Sequence, residues 1–347
     1  MDERTLTELE VIIPNLHWRY SGVTATNRMI APRLARLVKT AWFGRDAPEG
    51  IARLSCSGLL RLRGRGGRAR IWHARRNNEM MAGLLLRLLG WPLALVFTSA
   101  AQRHHTWVTR FLIGRMDAVI AASDAAASFL RKEAAVIYHG VDTELYRPPS
   151  DRAAAFASAG LPGKFAIGCF GRVRPQKGTD VFVEAMCRLL PQYPDFSAVI
   201  IGAVTADQQA FARGLQKKVK AAGLADRVRF LGELPIGEVP RWYRRIAIYA
   251  FTSRNEGFGL TLLEAMAAGV ALVAARAGAA EKVIADGDTG ILVPPGDAGA
   301  LAQALESLMR DPERAAAMGT RARERAVAEF GAEGEAKKIA AVYRKIL

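Results

Sequence analysis

From residue 164 to residue 274 the chain alternates short apolar runs with longer stretches of helical period, and this alternation constrains the fold more than any other feature. The runs 165–170, 198–201, 228–231, 248–251 and 271–274 have strand length and are rich in Val, Ile, Ala and Phe. Between them, 180–190, 206–222, 236–245 and 261–268 carry helical patterns, and glycines punctuate nearly every junction. Strands apolar on both faces and separated by helices require a parallel sheet covered on both sides, because parallel neighbours need crossover connections. This half is therefore expected to be a doubly wound α/β domain.

The first half is less regular. Its runs 11–13, 69–73, 93–98, 118–121 and 135–138 suit short buried strands, with helical stretches over 26–37 and 78–89. A length of 347 residues accommodates two domains, so the expected architecture is a pair of similar α/β domains facing each other, residues 1–155 and 156–330, followed by a helical tail, 331–347. Residues 146–164, with three prolines and two glycines, read as the linker region. Residues 298–346 read as almost continuously helical, broken around Asp311-Pro312 and near Gly331.

Charge is distributed unevenly. The formal net charge is +16, and between Arg28 and Arg115 there are 17 Lys/Arg against three acids, Asp46, Glu49 and Glu79. Such a local excess favours an anionic partner: nucleic acid, an anionic lipid surface or a phosphorylated glycolipid. The Arg/Gly-rich segment 61–70 is either a mobile solvated connection or a binding loop. The acidic first ten residues lack the basic-then-apolar order of a signal peptide. The apolar run 84–97, which holds Arg87, Gly90 and Pro92, is short of the roughly 20 residues a membrane span needs. Three cysteines, at 56, 169 and 187, offer neither a paired framework nor metal-ligand spacing, which fits a reducing compartment.

Two segments carry chemistry. Cys169-Phe-Gly-Arg-Val-Arg-Pro-Gln-Lys-Gly178 leaves a predicted strand and enters a predicted helix. This places Gly171, Arg172, Lys177 and Gly178 at the carboxyl edge of a parallel sheet, where α/β ligands bind. Its glycines allow close backbone approach, and Arg and Lys supply forked and point-like positive charge for a diphosphate. Ser253-Arg-Asn-Glu-Gly-Phe-Gly-Leu-Thr-Leu-Leu-Glu264 also follows a strand, with Gly257 and Gly259 before a helix whose amino end presents free N–H groups. Glu256 and Glu264 suit hydroxyl recognition, since carboxylates accept short charge-assisted bonds from sugar O–H groups. The bland alternative is a helix-end charge and a solvated helical residue.

These segments, with YHGVDTELYRP over 138–148 and AAEKVIADGDTGILVPPGD over 279–297, resemble glycosyltransferase family 4, retaining sugar-nucleotide-dependent enzymes of the GT-B fold. The resemblance is dense over 138–297 and looser elsewhere. It implies that Arg172 and Lys177 bind the donor diphosphate and that Glu256 contacts the transferred sugar. Glu264 would bind the ribose hydroxyls, with Gly257, Phe258, Gly259 and Leu260 holding sugar and phosphate through backbone N–H groups. It also implies no metal and no cofactor, and a final helix, about 335–347, that packs back on the first domain.

In the first half, Arg19-Tyr-Ser-Gly-Val-Thr24 resembles the family's glycine-rich first loop, with Gly22 near the donor and Ser21 where a paired glycine is usual. Relatives carry a His just after the strand matching 93–98; here Arg103, His104 and His105 come several residues later and are the acceptor-side candidates. His139 is read as holding a turn.

The resulting expectation is a retaining, metal-independent hexosyltransferase, cytoplasmic and peripheral on the inner face of the cytoplasmic membrane. Its style resembles lipopolysaccharide-core enzymes, with GDP-mannose as first-choice donor and an anionic glycolipid as acceptor. The alternatives are a UDP-sugar donor on the same fold, an epimerase or phosphorylase, or a basic nucleic-acid-binding protein. The last lacks a reading motif and interleaved aromatics, so no nucleic-acid partner is expected.

Overall fold

A computed structural model of the chain describes residues 3–18, 22–63, 69–235 and 237–347. The chain forms two compact units: Met1–Gly140 with Ala332–Leu347, and Val141–Gly331.

The first unit begins α1 (Glu3–Glu8), β1 (Val11–Asn15), α2 (Gly22–Ala35), β2 (Thr40–Gly44), β3 (Ala52–Leu54) and α3 (Cys56–Arg61). It continues with β4 (Arg70–Ala74), α4 (Asn77–Leu88), β5 (Leu93–Ser99), α5 (Trp107–Gly114), β6 (Ala118–Ala121), α6 (Asp124–Ser128) and β7 (Ala135–Val136). The second unit opens with α7 (Arg152–Ala157), β8 (Phe165–Phe170), α8 (Thr179–Leu189), β9 (Phe196–Ile201), α9 (Gln209–Ala221), β10 (Val228–Gly232) and α10 (Val239–Arg245). Then come β11 (Ile248–Phe251), α11 (Leu260–Ala267), β12 (Ala271–Ala275), α12 (Ala280–Val283), β13 (Ile291–Val293), α13 (Ala298–Met309) and α14 (Pro312–Glu329). The last helix, α15 (Ala332–Ile346), belongs to the first unit.

Both sheets are parallel throughout, in the orders β3-β2-β1-β4-β5-β6-β7 and β10-β9-β8-β11-β12-β13. This is the GT-B pair of Rossmann-like domains. In each sheet the order reverses once, between β1 and β4 and between β8 and β11, and such a reversal opens a crevice beyond the carboxyl ends of those strands.

Alternation along the first unit's strands explains its layers. Ile12, Trp72 and Leu95 face a core shared with α1, α3, α4 and α5. Val11, Ile13, Ile71 and Val96 face the opposite core, closed by Ile30 and Leu34 of α2 and by Ala336, Ile339 and Tyr343 of α15. In the second unit, α8, α9 and α13 bury Phe182, Met186, Leu215 and Leu305 against Ile167, Ile200 and Val273. Each such large aliphatic or aromatic side chain contributes about 1.5–3 kcal/mol on burial.

Three strands escaped the sequence reading: β2, β3 and β13. The latter two span only three residues each, too few to display a period. A second correction concerns residues 141–155, which group with the second unit, and the supposed linker, which holds α7. Arg152 at its start donates to the carbonyls of Ile246 (2.7 Å), Tyr243 (3.2 Å), Ala268 (2.8 Å) and Gly269 (3.0 Å). These are the terminal carbonyls of α10 and α11, which a helix cannot satisfy itself and which attract a cation. Burial pushes the Arg152 guanidinium down to about 10. Of the Arg/Gly segment, residues 64–68 lie outside the described residues.

Candidate active site

Three successive features of the loop after β8 set its shape. Gly171 leaves the strand, Pro175–Lys177 makes one tight 3-10 turn, and Gly178 caps it in the left-handed conformation, φ 66°. A Cβ on Gly178 would lie 1.9 Å from the Thr252 carbonyl oxygen, so only glycine lets this loop lie against the one after β11. The Thr252 hydroxyl in turn donates to the Lys177 carbonyl at 2.9 Å.

Further bonds stitch the two loops together across the reversal between β8 and β11. Arg254 grips Asp180 with both Nη atoms at 2.8 Å, its backbone N–H donates to the Gln176 carbonyl (2.9 Å), and the Gln176 amide donates to the Asn255 carbonyl (3.2 Å). Burial alone would push the Asp180 carboxyl up, but the Arg254 fork outweighs it and holds it below the usual range.

Within this frame the Lys177 ammonium pairs with the Glu256 carboxylate. Glu256 also accepts from the Gly257 N–H (3.1 Å) and the Ser253 hydroxyl (3.4 Å). Both partners are about one-fifth exposed, so they are partly desolvated yet open to a ligand. Gly259, φ 96°, then turns the chain into α11 at Leu260. Phe258 is buried and its carbonyl accepts from the Ala279 N–H at 2.8 Å, fixing the loop from behind.

Arg172 stands exposed on the first loop. Arg174, two residues on, was not singled out in the sequence. Burial and the charge of Arg172 lower its pKa, while Glu256 and Asp207 oppose the shift. Its Nε is buried without a hydrogen-bond partner among the described residues. Arg172, Arg174 and Lys177 thus concentrate positive charge at one strand end. The second arginine of GRVRPQKG, lying between Arg172 and Lys177, was the available signal.

Glu264 lies in α11, away from the Lys177–Glu256 pair in hydrogen bonding. It accepts from the hydroxyls of Tyr243 (2.8 Å) and Tyr146 (3.1 Å). Burial raises its pKa, and the two tyrosine bonds work against that rise. Burial and this carboxylate together push Tyr243 well above its ordinary value.

The first-unit candidates occupy a separate setting. Gly22 is the first residue of α2, with open space where a Cβ would stand; Arg19, Tyr20 and Ser21 lie outside the described residues. Arg103 is exposed. His104 packs edge-on against Phe129, ring centroids 5.1 Å apart, while His105 Nε2 is 3.4 Å from the Ser99 hydroxyl at the end of β5. Burial, then Arg103, lowers the His105 pKa. His105 also lines a recess of about 150 Å³ with Arg110, Arg131 and Lys132. His139 is buried, its Nδ1 3.0 Å from Glu335 of α15, whose other oxygen accepts from the Gly140 N–H at 2.7 Å. Among the described residues, no group of three or more His, Cys, Asp or Glu is placed to hold a metal ion.

A doubly wound pair of sheets with a cationic, glycine-shaped loop at a strand-order reversal is the frame of a glycosyltransferase. Residues 151–325 match the family Glycosyl transferases group 1, and the chain belongs to it. Along 99% of its length it is 49% identical to the lipopolysaccharide core biosynthesis mannosyltransferase LpcC of Rhizobium leguminosarum bv. viciae, covering 98% of that protein. It is 43% identical to LpsB of Rhizobium meliloti, a protein of the same description, with 99% of each chain covered. Among solved structures, the C-terminal domain of LpcC from Francisella tularensis is 37% identical over 55% of this chain and 99% of that one, TM-score 0.54. Anabaena HepE in complex with UDP and glucose shares the fold over 97% of this chain and 100% of that one, at 22% identity and TM-score 0.82.

Proposed function

We propose that this glycosyltransferase moves mannose from GDP-mannose to an anionic glycolipid of the lipopolysaccharide core type, with retention at the anomeric carbon, as a family 4 enzyme without a metal ion. The observation that carries the reading is the Lys177–Glu256 pair at the strand-order reversal, flanked by Arg172 and Arg174. As the glycosidic bond breaks, the departing diphosphate gains negative charge. Cations fixed where that charge develops stabilise the transition state more than the bound donor. Arg172 and Lys177 take this role, with Arg174 beside them. Glu256 is oriented by the Gly257 N–H and the Ser253 hydroxyl toward the sugar hydroxyls. Glu264 receives the ribose hydroxyls, and the amides of Gly257, Phe258, Gly259 and Leu260 complete the donor contacts.

The choice of mannose and of a core-lipid acceptor rests on the descriptions of the two relatives matched over nearly their full lengths. Arg103, His104 and His105 are assigned to the acceptor, whose acidic groups suit Arg103 and the cations around the His105 recess. The basic first unit docks on the anionic inner face of the cytoplasmic membrane, each Lys or Arg near the surface adding about 1 kcal/mol.

A panel of nucleotide sugars, read by donor hydrolysis and thermal shift, tests the donor. GDP-mannose should be consumed and should raise the melting temperature most. Preference for a UDP-sugar would overturn the donor assignment, and inversion at the anomeric carbon would overturn the stereochemistry. A salt-dependent shift assay with generic RNA covers the remaining class: tight binding without sugar turnover would defeat the reading altogether.

A further inference from the structure

The first unit leaves large apolar side chains in water along two neighbouring helices. On α4, Leu85 is about half exposed and Leu88 is 85% exposed, and Leu89, which caps the helix end, is about half exposed. On α5, Trp107 is 73% and Phe111 54% exposed. At 100° per residue these stripes lie opposite the faces the same helices bury, Met80 and Gly83 in α4 and Leu112 and Ile113 in α5. Met80, Leu112 and Ile113 share one core against one face of the first sheet, and Asn77 of α4 donates to Thr109 of α5 at 2.8 Å. The helices are therefore neighbours on one layer, and both outer stripes point away from it.

A side chain such as Leu88 in water is ordinary when alone; several on adjacent helices form a patch that marks a contact surface. Arginines accompany it. Arg110 is exposed, Arg115 lies 4.7 Å over the Phe111 ring, and Arg87 holds Asp117, the acid that follows α5, at 2.8 Å. Among the described residues no helix is long and apolar enough to cross a membrane. An apolar stripe set among arginines matches a layer that offers anionic headgroups above acyl chains, and an aromatic such as Trp107 suits the boundary between them.

We infer that the outer face of α4 and α5 inserts shallowly into an anionic lipid bilayer, holding the enzyme at the surface that presents its acceptor. The inference rests on the membrane-docking reading above and sharpens it: attachment is by a defined apolar face rather than by diffuse charge.

The test uses the full chain and vesicles of phosphatidylcholine with and without 30% phosphatidylglycerol, read by co-sedimentation. The double variant Leu88→Glu/Phe111→Glu should lower partitioning into anionic vesicles at least tenfold, with an unchanged melting curve and unchanged thermal shift by GDP. Arg110→Gln/Arg115→Gln should lower it less and mainly at low salt. Arg36→Gln, on the helix layer of the opposite sheet face, should leave it unaltered. If the wild-type chain binds anionic vesicles and Leu88→Glu/Phe111→Glu binds equally, or if Arg36→Gln weakens binding as much, this face is not the anchor although docking by charge survives. If the wild-type chain binds no vesicles, both readings fall. If sedimentation velocity shows a dimer that Leu88→Glu/Phe111→Glu dissolves, the face is a contact between copies and the lipid assignment is overturned.

Discussion

The two sheets share one topology, yet their carboxyl edges are built in different ways. At the second edge, glycines and backbone-directed bonds hold two loops together and leave cations facing outward: Arg172 in solvent, Lys177 on Glu256. At the first edge, polar groups turn inward. His73 sits between the hydroxyls of Tyr343 (2.5 Å) and Thr98 (2.7 Å). Arg76 bonds Asn15 (3.0 Å), Thr24 (2.9 Å) and the buried Glu79 (3.2 Å). Glu335 reaches from α15 to His139 and Gly140. Charge aimed at solvent is available to a ligand, whereas charge satisfied internally fixes the packing of helices. On one topology, the second edge leaves cations open to solvent, whereas these groups of the first edge hold its helices to its sheet.

The comparison can be broken most sharply at Glu335. Burial favours its neutral form, but the charge of His139, then Arg75 and the Gly140 N–H, keep its pKa below the usual range. Glu335→Ala strands these partners in the interior and should cost about 3–5 kcal/mol of first-unit stability, measured by urea unfolding. A loss below about 1 kcal/mol would show that this edge does not depend on its polar interior. At the other edge, Lys177→Ala or Arg172→Ala should remove about 2–4 kcal/mol of transition-state stabilisation. That is roughly a 30- to 900-fold fall in kcat/KM. The melting temperature should change little; near-normal turnover would remove these residues from the donor site.

A titration sharpens the contrast. Burial, helped by the charge of Arg75, holds the His73 pKa well below 6.5. The unfolded chain therefore takes up this proton first, and stability is lost as pH falls below about 6.5, with a slope of at most about 1.4 kcal/mol per pH unit. Thermal melts between pH 7 and 5 should show the slope, and His73→Asn should flatten it. The smallest effect is expected from Tyr146→Phe, which takes one bond from Glu264. A loss of about 0.5–1.5 kcal/mol in GDP affinity by calorimetry would follow, and an unchanged affinity would separate Glu264 from the ribose.

Much of the second unit was legible because its strands are mostly apolar and glycines stand at many of its junctions. Phe165–Phe170 and Ile248–Phe251 have the boundaries read from the sequence, and the cationic loop follows from strand position alone. What escaped depends on contacts between distant residues. Nothing near Arg152 announces that its guanidinium will meet the ends of two helices about 90 and 116 residues further on. Nor does local sequence reveal that Arg254 will grip Asp180 or that Tyr146 will meet Glu264. The first unit was harder because β2 mixes polar and aromatic residues and β3 is three residues long. Arg103, His104 and His105 were singled out by the family resemblance and their position after β5.

The first unit also has an unusual schedule. Its sheet is complete by Val136, yet one side of its core waits for Ala336, Ile339 and Tyr343. During synthesis, nearly two hundred intervening residues emerge before that cover arrives. The second unit is therefore made in full before the cover of the first arrives, and α15 acts as a late clasp. Shortening the chain before Ala332 would leave the early half permanently open along Val11, Ile71 and Val96.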